Sequence, residues 1–440
     1  MTPVPARLDF HSMHDPPIPT ADSFQNDARH ARAGLAVFAG LLVAFGLAST
    51  LASGGVRGGF GAIVMDPDIL INDYVERAGA GPAFVNAGLC ALAGFLVLAL
   101  VRVSVSGPAV AAVFTIAGFA LFGKNVANIW PTMLGVFLYS LASRRPFAEL
   151  VLVALFGTAL APLSSEVAFA LGIPVPWNLA CAVATGAAAG FILSPLASHV
   201  LDFHRGYNLY NLGFAAGFVG TVALSAFKAF GLDLSDSFQW AALGPGWILP
   251  WLALLFSSMV IAGMVVDPIW YVAYKRLLGS SGRLVSDFVR SYGLGASLVN
   301  MGLMGFVGCG FVLALGWSWN GPVVGAILTM TGFGAFGKHP LNAVPPMLGA
   351  VTMAALSGYG LSAPVSQMAG LFSSTLAPIS GAYGPVAGFA AGCLHLLLAQ
   401  TVGVLHGGLN LYNNGFAGGM AAGILVPVLE WLREWRHHEA

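Results

Sequence analysis

Thr115 to Gly135 reads TIAGFALFGKNVANIWPTMLG, and Thr329 to Gly349, 214 positions later, reads TMTGFGAFGKHPLNAVPPMLG. Gly118, Phe119, Phe122, Gly123, Lys124, Asn128, Pro131, Met133, Leu134 and Gly135 all return in the second copy. A lysine inside an otherwise apolar run is costly in hydrocarbon, roughly 2.5–3.5 kcal/mol at a helix centre on insertion scales. Its recurrence at an equivalent position, with an asparagine four residues on, makes a duplicated membrane architecture the first expectation.

The repeat extends in both directions. Asp73, Gly79, Gly81, Asn86 and Gly107-Pro108 match Asp287, Gly293, Gly295, Asn300 and Gly321-Pro322 at the same spacing. Downstream, Leu160-Ala161-Pro162 returns at Leu376-Ala377-Pro378, and FHRGYNLYNLGF from Phe203 returns as LHGGLNLYNNGF from Leu405. The drift in offset needs only a few loop insertions. The chain therefore divides into a polar, proline-containing tail (1–32), a first membrane half (33–231), a linker (232–247), a second half (248–429) and a cytoplasmic tail (430–440).

Composition sets the class. The 440 residues are 57% hydrophobic and only 8% charged, with a mean hydropathy of +0.81, against roughly a quarter charged in soluble domains. Runs such as Ala33–Ser53, Phe84–Val101, Asn178–Ala197 and Ile248–Val266 are long enough to cross a core of about 30 Å. Lipid leaves helices as the way to satisfy such backbone, so an all-α polytopic membrane protein is expected, with seven segments in each half. The segments at 108–122 and 128–142 are short for a span, at about 22 Å each as helix, and read as half-helices of a re-entrant hairpin.

Charge orients the halves. With Arg29 and Arg32 inside, Arg102, Arg144, Arg145, Arg205, Lys275, Arg276, Arg283, Arg290, Arg433 and Arg436 fall inside too, and Arg57, Arg77 and Lys228 fall outside. An odd number of crossings then separates the halves, which inverts one relative to the other and places both termini in the cytoplasm of a bacterial inner-membrane protein. Inverted repeats with interrupted short segments point to a transporter or channel whose site lies near the midplane. The net charge of zero gives no sign of a nucleic-acid partner. Cys90, Cys181, Cys309 and Cys393 stand singly, so no metal site is indicated. No catalytic or nucleotide-binding motif is present, and neither an enzyme activity nor a cofactor is expected.

The candidate pathway residues are polar groups repeated in apolar surroundings. Lys124 and Lys338 lie at the break between half-helices, where a positive helix terminus is also expected to point inward, and suit an anion or a carbonyl oxygen; the plainer reading is a structural lock. Asn128 and Asn342 follow them. Asn208 and Asn211, like Asn410 and Asn413, are spaced to share one helix face, with Tyr210 and Tyr412 between; amides suit a neutral solute, or serve as interhelical glue. Asn86 and Asn300 begin a span after a glycine-rich entry, with Asp73 and Asp287 as caps of the short helices before them. His204 and His406 are candidates for gating by protonation.

The stretches DPDILINDYVERAGAGPAFVNAGL, AGFALFGKNVANIWP, HRGYNLYNLGFAAG and LHGGLNLYNNGFAGG resemble the hallmarks of a bacterial membrane family catalogued as a domain of unknown function. A weaker resemblance is to urea channels, in the placement of GAGPAFVNAGLCALAGFLVLAL and GLGASLVNMGLMGFVGCGFVLAL, although Asn86-Ala87 and Asn300-Met301 stand where that family has Asn-Pro and no lysine pair is shared. That resemblance implies a two-repeat channel and a homo-oligomer, a trimer by analogy. The expectation is a transporter or channel for a small polar solute, either an organic anion or a urea-like amide, with the lipid bilayer as its other partner. The alternative is a membrane scaffold or enzyme without a solute pathway.

Overall fold

The computed structural model describes residues 21–52, 59–235 and 238–439. The prolines from Pro3 to Pro19 in the expected tail, and Arg57, lie outside those residues. The first half contains α1 (Ala21–Ala52), α2 (Gly59–Val64), α3 (Tyr74–Ala78), α4 (Ala80–Leu100), α5 (Gly107–Phe119), α6 (Ile129–Ala142), α7 (Phe147–Gly157), α8 (Ala161–Phe169), α9 (Trp177–His204) and α10 (Asn211–Ala229). The second contains α11 (Ile248–Val266), α12 (Trp270–Leu277), α13 (Phe288–Leu315), α14 (Gly321–Phe333), α15 (Pro340–Leu356), α16 (Pro364–Phe372), α17 (Ala377–Tyr383), α18 (Pro385–His406) and α19 (Asn413–Glu439). The order is the same twice. The pair α3–α4 corresponds to α13, which bends at Gly293 (φ +80°) where Gly79 (φ +90°) separates the earlier pair, a backbone conformation that glycine alone adopts freely.

Nine helical stretches among the described residues are long and apolar enough to cross a membrane, with α7 and α8 joined into one broken span. A 3-10 turn at Thr158–Leu160 interrupts that span, and Ser373–Leu376 interrupts its counterpart α16–α17. The helices α5, α6, α14 and α15 are the shorter apolar ones, as their sequence lengths indicate. Two boundaries differ from the expected ones. Residues 21–32, assigned to the polar tail, are the first turns of α1, and α19 continues as helix to Glu439; both stretches carry helix-forming residues that need no lipid to propagate a turn begun inside it.

At the centre α5 and α14 run antiparallel. Gly107 lies against Ala335, Ala111 and Phe114 beside Gly332, Gly118 against Gly325, and Leu121 against Gly321. Approach is so close that a Cβ on Gly118 would sit 2.3 Å from Gly325 O, and one on Gly325 2.2 Å from Gly118 O. Each helix starts at Gly-Pro, with a cap of its own (Ser106 for α5, Asn320 for α14). Each is also capped by a carboxylate from the other half: Asp287 Oδ1 accepts from Gly107 N at 2.9 Å and Asp73 Oδ1 from Gly321 N at 3.1 Å. The same oxygens cap their own short helices through Arg290 N and Val75 N, as expected of them. Around this pair, α1 packs on α4 and α11 on α13, α6 on α9 and α15 on α18, and α10 on α19.

The linker breaks the symmetry. Gln239 N donates to Ile71 O (3.0 Å), Asp73 N to Gln239 O (3.2 Å) and Ala241 N to Asp73 Oδ2 (3.0 Å). This short strap covers Ile71, which is 8% exposed, while the equivalent Val285 is 82% exposed.

Candidate functional site

The tips of the two short-helix hairpins carry the lysines. Lys124 N donates to Phe119 O and Lys338 N to Phe333 O, so each lysine closes the carbonyl end of α5 or α14. The negative terminus of α5 or α14 thus meets each lysine backbone and favours a cation, while the positive start of α6 at Ile129 or of α15 at Pro340 follows within a few residues. Asn86 Nδ2 donates to Ala120 O (2.7 Å) and Lys124 O (2.8 Å), and Asn300 Nδ2 to Gly334 O and Lys338 O, both at 2.7 Å. These asparagines, in the bodies of α4 and α13, set the tip backbone and do not face a cavity.

Both lysines are 0% exposed. Lys124 Nζ donates to Thr158 Oγ1 (2.8 Å) and to Tyr412 OH (2.5 Å), and Lys338 Nζ to Ser374 Oγ (2.8 Å) and Tyr210 OH (2.5 Å). Each lysine thus reaches a hydroxyl at a helix break in its own half and a phenol from the other half. Thr158 and Ser374 pass their own protons to Leu155 O and Leu371 O, which leaves their lone pairs for the amines. The amines also lie 4.5 Å from the Tyr412 ring centroid and 4.3 Å from that of Tyr210, in the range of cation–π attraction. No ion pair to either lysine is present among the described residues, whose ion pairs include Arg77–Asp66, Arg145–Glu149 and Arg205–Glu430.

The asparagine phrases are laid out differently from the sequence reading. Asn208 and Asn410 lie in turns, and α10 and α19 begin only at Asn211 and Asn413, so the pairs do not share a helix face. Arg205 (φ +50°) and Gly206 (φ +78°), like Gly407 and Gly408, turn the chain out of α9 and α18 before the phrase begins. Asn208 Nδ2 donates to Gly415 O and Asn410 Nδ2 to Gly213 O, tying each turn to the helix of the other half. Asn211 and Asn413 bridge back to their own preceding helix, donating to Ala197 O and Ala399 O while His204 Nε2 and His406 Nε2 meet their Oδ1 atoms at 2.8 and 2.9 Å. The histidines are buried in these bridges.

Asn128 and Asn342 hold the hairpin tips, bonding Gly123 O and Gly337 O and accepting from the amides of Asn125 and His339. In the first half a buried carboxylate that sequence reasoning missed joins them. Asp68 accepts from Tyr74 OH, Asn125 Nδ2, Asn128 Nδ2 and Ser165 Oγ. Nothing in the repeat pattern marks it, since the matching position is Gly282.

Between the halves lies a cavity of about 170 Å³. Matched residues from both sides line it: Thr115 and Thr329, Phe119 and Phe333, Phe156 and Phe372, Leu209 and Leu411, Tyr210 and Tyr412, Gly213 and Gly415. Of the expected pathway residues, Tyr210, Asn211 and Tyr412 line this cavity. The lysines stand one bond behind the two tyrosines, and the remaining asparagines hold backbone. Lining that lacks a matched partner in the cavity includes Pro108, Leu152, Leu201, Leu284, Val285 and Phe336.

No curated protein and no solved structure matches the chain, and the resemblance to urea channels is not shown. A family model does match, over residues 53–229 and 270–431, two stretches that take in both hairpins, both lysines and both asparagine phrases. On that match this polytopic helical membrane protein belongs to the family described as protein of unknown function (DUF1576).

Proposed function

We propose that this protein is a membrane transporter that moves a small organic anion through the interface of two inverted repeats, with both termini in the cytoplasm of a bacterial inner membrane. The observation that carries the reading is the pair of fully buried lysines, without acidic partners, each bonded to a tyrosine that lines the cavity from the opposite half. Taking an ammonium out of water costs several kcal/mol unless an opposite charge compensates. A solute that brings a negative charge to the tyrosine hydroxyls would supply that compensation on arrival and remove it on departure. The antiparallel α5–α14 pair supports inversion, because equivalent helices of two halves in the same orientation would not pack in opposite directions. The unequal ends support alternating access: Val285 lines the cavity and is exposed, while the equivalent Ile71 is covered by the linker strap. A urea-like amide is the weaker fit, since it would leave both lysine charges as they are.

The test is flux into proteoliposomes by stopped-flow, wild type beside Lys124→Met/Lys338→Met. Lysine-dependent uptake of organic anions is expected, with formamide and urea excluded. Because both lysines also hold the helix breaks, Tyr210→Phe/Tyr412→Phe serves as a second variant that keeps the amines and removes the hydroxyls between them and the cavity. Anion flux that is unchanged in both variants, or amide flux that exceeds anion flux, would overturn the reading.

A further inference from the structure

The cavity lining pairs Phe119 with Phe333, Phe156 with Phe372 and Tyr210 with Tyr412, and at one matched pair it sets a polar residue against an apolar one. Asn414 lines it in the second half, and the matched residue of the first half is Leu212. Behind Asn414 stands His395, fully buried, its Nε2 3.0 Å from Asn414 Oδ1 and its Nδ1 without a partner; the residue matched to His395 is Leu193. The second half thus has a polar pair, Asn414 backed by His395, where the first half has Leu212 and Leu193.

Accounting for donors and acceptors narrows the occupant. Thr115 and Thr329 spend their hydroxyl protons on Ala111 O and Gly325 O, and Asn211 has both ends of its amide engaged. The phenols of Tyr210 and Tyr412 accept from the lysines, and each also contacts the hydroxyl of Ser374 or Thr158, from which its proton can turn to a ligand. Asn414, with Oδ1 turned to His395, has its amide NH₂ to give. The cavity therefore offers donors backed by two amines and contains no carboxylate among its lining residues. The rest of the wall is Phe119, Phe156, Phe333, Phe372, Leu209 and Leu411, a surface that a bare inorganic anion or formate cannot use. A cavity of about 170 Å³ holds on the order of six water-sized groups, the size of a carboxylate with a short alkyl body.

We infer that the cavity is a binding site for a short-chain aliphatic monocarboxylate, its carboxylate held against Tyr210 and Asn414 and its alkyl chain among the phenylalanines. The inference rests on the anion reading above and narrows it to one ligand class and one orientation. Asn414, positioned by His395, is then the residue that sets which end of the pathway receives the head group.

Isothermal titration of the detergent-solubilised full chain with formate, acetate, propionate, butyrate and octanoate, beside butyramide and nitrate, tests it. Burying one more methylene is worth about a fourfold gain, so Kd is expected to fall about fourfold per carbon from formate to butyrate and to rise again at octanoate, with butyramide at least tenfold weaker than butyrate. Asn414→Leu is expected to raise Kd for butyrate about tenfold, and Ser198→Ala, away from the cavity lining, to leave it within twofold. Should the leucine variant fail to fold, Asn414→Asp, equal in shape and without the amide donor, is expected to weaken butyrate more than tenfold. Nitrate or formate binding as tightly as butyrate would overturn the inference and leave the anion reading standing. Butyrate binding that is indifferent to Asn414→Asp would overturn the orientation and its specificity residue. Absence of binding by every anion would overturn both readings together.

Discussion

Lys124 and Lys338 were legible in the sequence because a cation within an apolar run has few cheap explanations, and two of them at matched positions have fewer. Their partners were not legible. Tyr412 lies 288 positions from Lys124, and only the folded chain brings the asparagine phrase of one half to the hairpin tip of the other. The asparagine spacing misled for a related reason: i, i+3 predicts one helix face only if the helix is continuous, and the left-handed turn at Arg205–Gly206 ends it first. Asn86 and Asn300 give a direct test of the tip geometry. Asn86→Ala strips two buried carbonyls of their donor, and a loss on the order of 2–4 kcal/mol is expected from the usual cost of unsatisfied groups, read as a lowered midpoint in thermal unfolding. Asp73, in the loop outside the spans, gives a pH test. Burial pushes its carboxyl up to about 6, against the pull of the Ala241, Val75 and Gly321 amides. A raised carboxyl means that folding favours the protonated form, so its contribution to stability is full below the ordinary value near 3.8 and declines as pH rises through 6. Asp73→Asn is expected to flatten the fall in melting temperature between pH 4 and pH 6; an unchanged slope would remove Asp73 as its source.

The short helices were readable as elements, since Gly-Pro starts and lengths of 13 residues for α5 and α14 suit half-spans better than crossings. What sequence did not reveal is that the two would pack on each other. The contact is built by glycines placed where backbone meets backbone, a pattern that small-residue packing in membranes exploits. Gly118→Ala and Gly325→Ala are each expected to destabilise by about 1–3 kcal/mol or more through overpacking, because the new methyl would meet a main-chain oxygen that cannot swing aside. Gly40→Ala, on a part of α1 where a Cβ meets nothing within 4 Å, is expected to be neutral or slightly stabilising. Equal melting temperatures for the central and peripheral variants would contradict the packing. The 3-10 breaks at Thr158 and Ser374 lie four residues before Pro162 and Pro378, whose rings displace the carbonyl four residues back; what the sequence did not reveal is that the hydroxyl at each break would meet a lysine.

At the scale of the molecule, the duplication was visible by alignment alone, and an inverted arrangement is what counting arginines predicts. The strap that makes the Ile71 and Val285 ends unequal was not visible, because the linker has no counterpart in a second copy to compare it with. If the halves are inverted, the matched residues Ser143 and Ser357 lie on opposite faces, and cysteines introduced there, in a background free of Cys90, Cys181, Cys309 and Cys393, are expected to label from opposite sides of the membrane; labelling from one side would remove the inversion. The measurement that reaches the central claim most directly is block of flux at the Val285 end. With Val285→Cys in the same background, a membrane-impermeant thiol reagent added to the cytoplasmic face is expected to stop butyrate flux, butyrate itself is expected to slow the modification, and Ile71→Cys beneath the strap is expected to stay unreactive. Butyrate flux that continues at full rate through a completely modified Val285→Cys protein would show that solute does not pass between the two halves.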